Sequence, residues 1–360
     1  MLILTFVLSL CLLIGGAELL VKGASRLAVT LGISPLIIGL TVVSFGTSAP
    51  ELAVSIKAAL SDNASIALGN VIGSNIFNVL FILGVSAIVT PLIVAQQMVR
   101  FDVPLMIIVS VCVLLFSLNN QISPVEGLLL VSGLIAYTVF LIYQSRKESE
   151  EINEEYAREF GEDKKKVTHT SKNIILIMIG LVLLVLGSRW LVSSAVSIAE
   201  YLGVSKAIIA LTIIAAGTSM PEVVTSVVAS FRGERDIAVG NVVGSNLFNL
   251  LGVLGVSSLI APNGISVPQS MINFDMPIMI AVAIVCLPIF FTENKISRFE
   301  GFVFLGYYIA YTVYLIFVAT NHDVLMKYQM AMVYFVIPLT LLTLVIVVFR
   351  EIKNRKKIQL

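Results

Sequence analysis

The chain has 360 residues, 58% of them apolar and only 12% charged, with 23 Lys and Arg against 22 Asp and Glu for a net charge of +1. A soluble domain carries about twice that share of charge. Together with a mean hydropathy of +1.01, this excludes an ordinary water-soluble globule and describes an all-α polytopic membrane protein. The near-neutral balance gives no footing for a nucleic-acid partner. His169 and His322 stand in separate polar segments, which argues against a histidine-built metal centre. Cys11, Cys112 and Cys286 lie within apolar runs, where a thiol packs as a small hydrophobe.

In chain order, eleven apolar runs are long enough to cross a hydrocarbon core of about 30 Å: 2 to 24, 34 to 60, 66 to 90, 102 to 118, 124 to 143, 173 to 195, 207 to 231, 237 to 261, 274 to 292, 299 to 318 and 329 to 349. The first has no basic leader and no A-x-A-like cleavage site, so it reads as a retained span and not a signal peptide. Open strand edges go unsatisfied in lipid and the alternation of a barrel is absent, so the runs predict helices. With the N-terminus outside, 19 of the 23 basic residues fall on the cytoplasmic side, leaving Lys57, Arg189, Lys206 and Lys327 on the other. That bias predicts an odd number of spans and a cytoplasmic C-terminus, including the basic run from Arg350 to Lys357.

The sequence repeats itself. Leu40-Thr41, Gly46-Thr47-Ser48, Pro50-Glu51, Gly69-Asn70-Val71, Gly73-Ser74-Asn75 and Phe77-Asn78 recur 171 positions later, as Leu211-Thr212 through Phe248-Asn249. Phe101-Asp102 and Ile135-Ala136-Tyr137-Thr138-Val139 answer Phe274-Asp275 and Ile309-Ala310-Tyr311-Thr312-Val313 at slightly larger offsets. The expected organisation is a first repeat of five spans over 1–143, a polar cytoplasmic linker over 144–172, a second repeat of five spans over 173–320, and an extra span with a basic tail over 321–360. An odd number of spans per repeat inserts the second copy upside down, an architecture that holds substrate near the bilayer midplane and favours transport over catalysis. The acidic run Glu148 to Glu155 in the linker lacks EF-hand spacing and reads as a solvated loop.

The chemistry concentrates in the second and seventh spans. Glu51 and Glu222 are carboxylates in the middle of apolar runs, where an ionised side chain costs several kcal/mol unless paired and so marks function. Pro50 and Pro221 break the helical ladder just before them, which predicts carbonyls released near Gly46, Thr47 and their counterparts. Thr47, Ser48, Thr218 and Ser219 stand three or four positions before the glutamates, on the same helical side. Spans three and eight add Asn70, Ser74, Asn78 and Asn241, Ser245, Asn249 at i, i+4, i+8, beside glycines whose spacing also suits close helix approach. Two carboxylates with hydroxyl, amide and carbonyl oxygens, and no Cys or His, describe a hard-cation site, and Ca²⁺ takes 6–8 such oxygens. One divalent ion cancels both charges, as would several Na⁺ or two protons. An empty, doubly ionised site is costly to carry through an occluded state, which favours exchange over leak.

These motifs, paired G-T-S-x-P-E and G-N-x-x-G-S-N-x-x-N, resemble those of the cation/calcium exchanger superfamily, most of all its prokaryotic calcium/sodium antiporters, over most of residues 1–320. The resemblance implies that Glu51 and Glu222 coordinate Ca²⁺ and that Thr47, Ser48, Ser74, Asn78, Thr218, Ser219, Ser245 and Asn249 complete the Ca²⁺ and Na⁺ sites. It also implies that residues 2–31 and 173–202 slide across the ion core, and a place in the plasma (inner) membrane of a prokaryote. Some exchangers carry Asp where Asn78 or Asn249 stands here, which leaves the number of Na⁺ or K⁺ sites open. The expected partners are the bilayer, Ca²⁺ and Na⁺, with K⁺ or H⁺ as alternative coupling ions, and with no cofactor and no obligate protein partner. Competing readings are a Ca²⁺/H⁺ antiporter on the same scaffold, although proton-coupled relatives typically show G-N-x-x-E, and a passive channel. An enzyme reading fails because no His or Lys lies near Ser48 or Ser219 in sequence to act as a base.

Overall fold

The computed structural model describes residues 2–61, 64–160 and 170–343, with 345, 346 and 349. It is built almost wholly of helices: α1 Leu2–Leu31, α2 Pro35–Thr47, α3 Ala49–Ala59, α4 Ser65–Val89, α5 Met98–Asn119, α6 Pro124–Phe160, α7 Thr170–Tyr201, α8 206–217, α9 Met220–Phe231, α10 Arg235–Ile260, α11 Met271–Phe291, α12 Arg298–Ala319 and α13 Leu325–Thr343. Among the described residues nine helices are long and apolar enough to cross a membrane, and α2 with α3 forms a tenth crossing, bent by 46°. The seventh expected span is occupied by α8 and α9, and α9 alone has only 12 residues.

One boundary differs from the sequence reading. The segment read as a loop from residue 144 begins as helix, because α6 continues to Phe160. Residues 145–160 hold Glu, Lys, Arg and Ala and neither Gly nor Pro, so intrinsic propensity carries the helix on past the apolar span. Residues 161–169 of the expected linker, and the expected basic tail 350–360, lie outside the described residues.

The same local devices recur in both halves. Ser123 and Ser297 open α6 and α12 with reciprocal caps, the backbone N–H of each donating at 2.7 Å to Glu126 or Glu300. Tyr137 donates to Asp102 at 3.0 Å and Tyr311 to Asp275 at 2.8 Å, which ties α5 to α6 and α11 to α12. Two short antiparallel ribbons join the halves crosswise: β1 Leu92–Ile93 with β4 Lys295–Ile296, and β2 Gln121–Ile122 with β3 Ile265–Ser266.

Helices α1 and α7 run antiparallel and cross where a Cβ on Gly16 would lie 2.8 Å from the Gly180 carbonyl oxygen, and one on Gly180 would lie 2.7 Å from that of Gly16. Only glycine permits that approach. The centre of the bundle is α10, whose apolar stretch is wholly buried, with α4 beside it. By contrast no residue in the apolar stretch of α13 is buried. It leans on α12 through Tyr328, which donates to the Ala310 carbonyl at 2.8 Å, and through the Tyr307–Thr340 hydroxyl pair.

Candidate ion-binding site

The broken helices set the site. Ser48 (φ −82°, ψ 8°) and Ser219 (φ −87°, ψ 8°) leave helical geometry, and a proline follows in the first turn of the next helix, where its missing N–H costs nothing. Each break therefore starts a new helix at the centre of the bundle and puts Glu51 or Glu222 in its first turn. There the helix dipole favours negative charge.

The two halves then exchange hydrogen bonds. Ser48 donates to Glu222 Oε1 and Ser219 to Glu51 Oε1, both at 2.8 Å, so each glutamate is held by the serine of the other repeat. Ser219 also lies 3.1 Å from the Ser74 hydroxyl. Thr47 donates to Asn241 Oδ1 at 3.1 Å and Thr218 to Asn70 Oδ1 at 3.4 Å, again across the repeats. Asn70 and Asn241 brace the broken helices from within their own repeats, donating to Ser55 at 3.0 Å and Ser226 at 2.9 Å and to the Glu51 and Glu222 carbonyls. Asn78 and Asn249 start π-helical turns, Asn78–Leu83 and Asn249–Val253, a wider winding that often accompanies functional positions.

Glu51 and Glu222 are each 1% exposed, and neither forms an ion pair among the described residues. Glu51 Oε2, Glu222 Oε2, Asn78 Oδ1, Asn249 Oδ1 and Ser245 Oγ are all buried without a hydrogen-bond partner. The described residues hold no cluster of three or more His, Cys, Asp or Glu. Two carboxylates rounded out by neutral oxygens suit a hard cation and not a transition metal.

Most of the residues singled out in the sequence thus converge: Thr47, Ser48, Glu51, Ser74, Thr218, Ser219 and Glu222 are joined by hydrogen bonds within this network. Asn78, Ser245 and Asn249 are buried on α4 and α10, the helices that also carry Ser74 and Asn241. One expectation is revised. The carbonyl released by Pro221 in the second repeat is that of Gly217, and Ser188 of α7 donates to it at 2.7 Å. That oxygen already has a donor, whereas the equivalent of Ser188 in the first repeat is Ala17, which has none to give. Sequence reading also passed over Asn75 and Asn246, which stand off the i, i+4 stripe; their recurrence at the common offset of 171 was the available signal.

The repeats are not equally closed. A Cβ on Gly244 would lie 2.7 Å from the Leu40 carbonyl oxygen and 2.8 Å from the Ser44 hydroxyl, so α2 is pressed onto α10. Its counterpart, Gly73 on α4, has nothing within 4 Å of that position among the described residues, and Ile214 in α8 is 51% exposed. The bundle is therefore packed more tightly along α2 than along α8, while the glutamates themselves stay buried.

Residues 1–143 and 172–317 match the profile of the family described as sodium/calcium exchanger protein. A putative antiporter, CaxA, of Alkalimonas amylolytica is 38% identical over 86% of this chain and 96% of its own length. Inner membrane protein YrbG of Escherichia coli K12 is 36% identical over 78% and 85%. A solved structure of the sodium-calcium exchanger NCX_Mj, soaked with Na⁺ and Ca²⁺, superposes with a TM-score of 0.73 at 28% identity, covering 88% of this chain and 97% of the other.

Proposed function

The chain belongs to the sodium/calcium exchanger protein family, and within it we propose an antiporter that exchanges Ca²⁺ for Na⁺ by alternating access at a site built on Glu51 and Glu222. The observation that carries this reading is that five of the buried oxygens left without hydrogen-bond partners, Glu51 Oε2, Glu222 Oε2, Asn78 Oδ1, Asn249 Oδ1 and Ser245 Oγ, belong to the two carboxylates and to the polar stripes of α4 and α10, with no basic side chain paired to either glutamate among the described residues. Each such oxygen is costly to bury unpaired. A divalent cation offsets the charge and takes several oxygens at once, in a geometry that Ca²⁺ tolerates well. Thr47, Ser48, Ser74, Thr218 and Ser219 complete the shell or orient it.

The same reading sets the topology. Two five-span repeats over 1–143 and 173–320, joined through 144–172 and followed by α13, enter the inner membrane with opposite polarity, the N-terminus outside and the C-terminus in the cytoplasm. Similarity to an inner membrane protein of E. coli supports the compartment. In this orientation the looser flank along α8 faces outward and the flank where α2 is pressed onto α10 faces the cytoplasm. The pair α1 and α7, crossing on glycines, is the natural sliding element.

Uptake of radiolabelled Ca²⁺ into proteoliposomes tests the counter-ion. An outward Na⁺ gradient is expected to drive uptake and a proton gradient alone is not. Uptake driven by protons and indifferent to Na⁺ would replace this reading with Ca²⁺/H⁺ exchange on the same scaffold. Flux indifferent to any opposing cation would indicate a channel.

A further inference from the structure

Asn75 and Asn246 face each other across the seam between the repeats, 3% and 2% exposed. The Asn75 amide NH₂ donates to the Asn246 backbone carbonyl, and the Asn246 NH₂ to the Asn75 carbonyl, both at 3.3 Å. Asn246 Nδ2 also lies 3.5 Å from Met106 Sδ. A backbone carbonyl only accepts, so these bonds decide which end of each amide is nitrogen. The oxygens are thereby turned outward from the seam. Asn246 Oδ1 accepts from Asn78 Nδ2 at 3.0 Å, and Asn75 Oδ1 accepts from Asn249 Nδ2 at 3.1 Å. Asn78 and Asn249 must then present their own oxygens elsewhere, and those two oxygens are buried with no partner.

We propose that Asn75 and Asn246 are positioning residues that set the amide polarity of Asn249 and Asn78, so that each offers the cation a carbonyl oxygen and not an NH₂. The two ends of an amide have nearly the same shape, so packing alone does not choose between them. Hydrogen bonding does, and here the choice is anchored on main-chain carbonyls that cannot change sign. The relay is crossed: the seam residue of each repeat orients the asparagine of the other. An amide turned the wrong way would aim a positive dipole at the ion, so the relay contributes to cation affinity without touching the cation. This inference rests on the reading of the site as a Ca²⁺ cage.

An orientation role has a signature that a packing role lacks. Asp in place of Asn78 offers the ion an oxygen whichever way it is turned, and it has no N–H to give Asn246 Oδ1, so the bond that Asn246 accepts no longer helps orient it. Binding of radiolabelled Ca²⁺ to the detergent-solubilised full chain, checked for monodispersity, reads affinity even where turnover is slow. N246A is expected to weaken Ca²⁺ binding about tenfold, the order of one hydrogen bond involving a charged group. In the N78D background the same change is expected to cost less than about twofold, since no flip remains to be prevented. The mirrored set, N75A with and without N249D, repeats the test on the other repeat and covers a variant that fails to fold. Equal costs in both backgrounds, or no cost in the Asn background, overturn the relay. E51Q in the same assay separates this from the parent reading: if it binds Ca²⁺ normally, the cage itself is wrong, whereas loss in E51Q with equal costs for N246A removes only the relay.

Discussion

At the scale of single residues, the two glutamates and the serines that hold them differ in what their loss should do. E51Q or E222Q keeps the shape of the side chain and removes a charge from a pair that one divalent ion would neutralise. Breaking a buried charge arrangement at one partner costs about 3–5 kcal/mol, so Ca²⁺ affinity is expected to fall by a factor of roughly 100 or more, with membrane insertion intact. S48A removes only the donor to Glu222 Oε1, at 2.8 Å. A hydrogen bond to a charged group contributes about 1.5–3 kcal/mol, so S48A should raise the half-saturating Ca²⁺ concentration and remain active. Transport titrations on reconstituted protein check both, and wild-type behaviour of either glutamate variant would count against the site. These residues were legible in the sequence because a carboxylate, a proline and hydroxyls inside an apolar run have no structural excuse. Ser188 was not legible. Nothing in the sequence shows that α7 passes Gly217, so the donor that takes this carbonyl at 2.7 Å emerges only from packing.

At the scale of elements, apolar length predicted the spans well but could not show how two of them are divided. Proline-broken spans become paired short helices, and the break is useful because it creates a helix N-terminus in mid-bundle, where Glu51 and Glu222 sit. The continuation of α6 to Phe160 was missed because polarity was read as loop, when Glu, Lys and Arg are good helix formers. A tertiary feature with no sequence signal lies at one end of α1. Glu18 pairs with Arg232, and Ser25 donates to Glu234 at 2.7 Å, which ties α1 to the turn between α9 and α10. A cavity of about 360 Å³ lies there, lined also by Lys22 and Arg26. The ion pair is half exposed, with side chains 56% and 47% accessible, so it contributes no more than about 1 kcal/mol and is weakened by salt. If α1 must slide for transport, E18Q is expected to change the exchange rate by less than about fivefold, with the difference shrinking at high ionic strength. A change of more than about tenfold, or one insensitive to salt, would mean that this contact does more than a surface pair can.

At the scale of the whole molecule, the decisive property is that two repeats sharing the same motifs are packed differently. Leu40 and Ser44 press on Gly244, while Gly73 has nothing within 4 Å of a Cβ among the described residues and Ala215, which answers the buried Ser44 at the 171 offset, is exposed. If transport interchanges the roles of the two repeats, then the opposite-facing state packs the segment 211–215 onto Gly73 as tightly as α2 now packs onto Gly244. A Cβ at Gly73 meets no described atom in the present state and, by the symmetry of the repeats, would clash in the other. G73L is therefore expected to fold and to bind Ca²⁺ from the looser side. Overpacking costs about 1–3 kcal/mol, which biases the equilibrium against the opposite state by a factor of roughly 5–150. Exchange should slow accordingly, and a cysteine introduced at the exposed Ile214 should stay reactive to an external thiol reagent whether or not Ca²⁺ and Na⁺ are present. G244L, in contrast, meets the Leu40 backbone at once and should disfavour the state seen here. The two variants together are the informative pair, since a motion that left these helix contacts fixed would make G73L silent and G244L simply unstable.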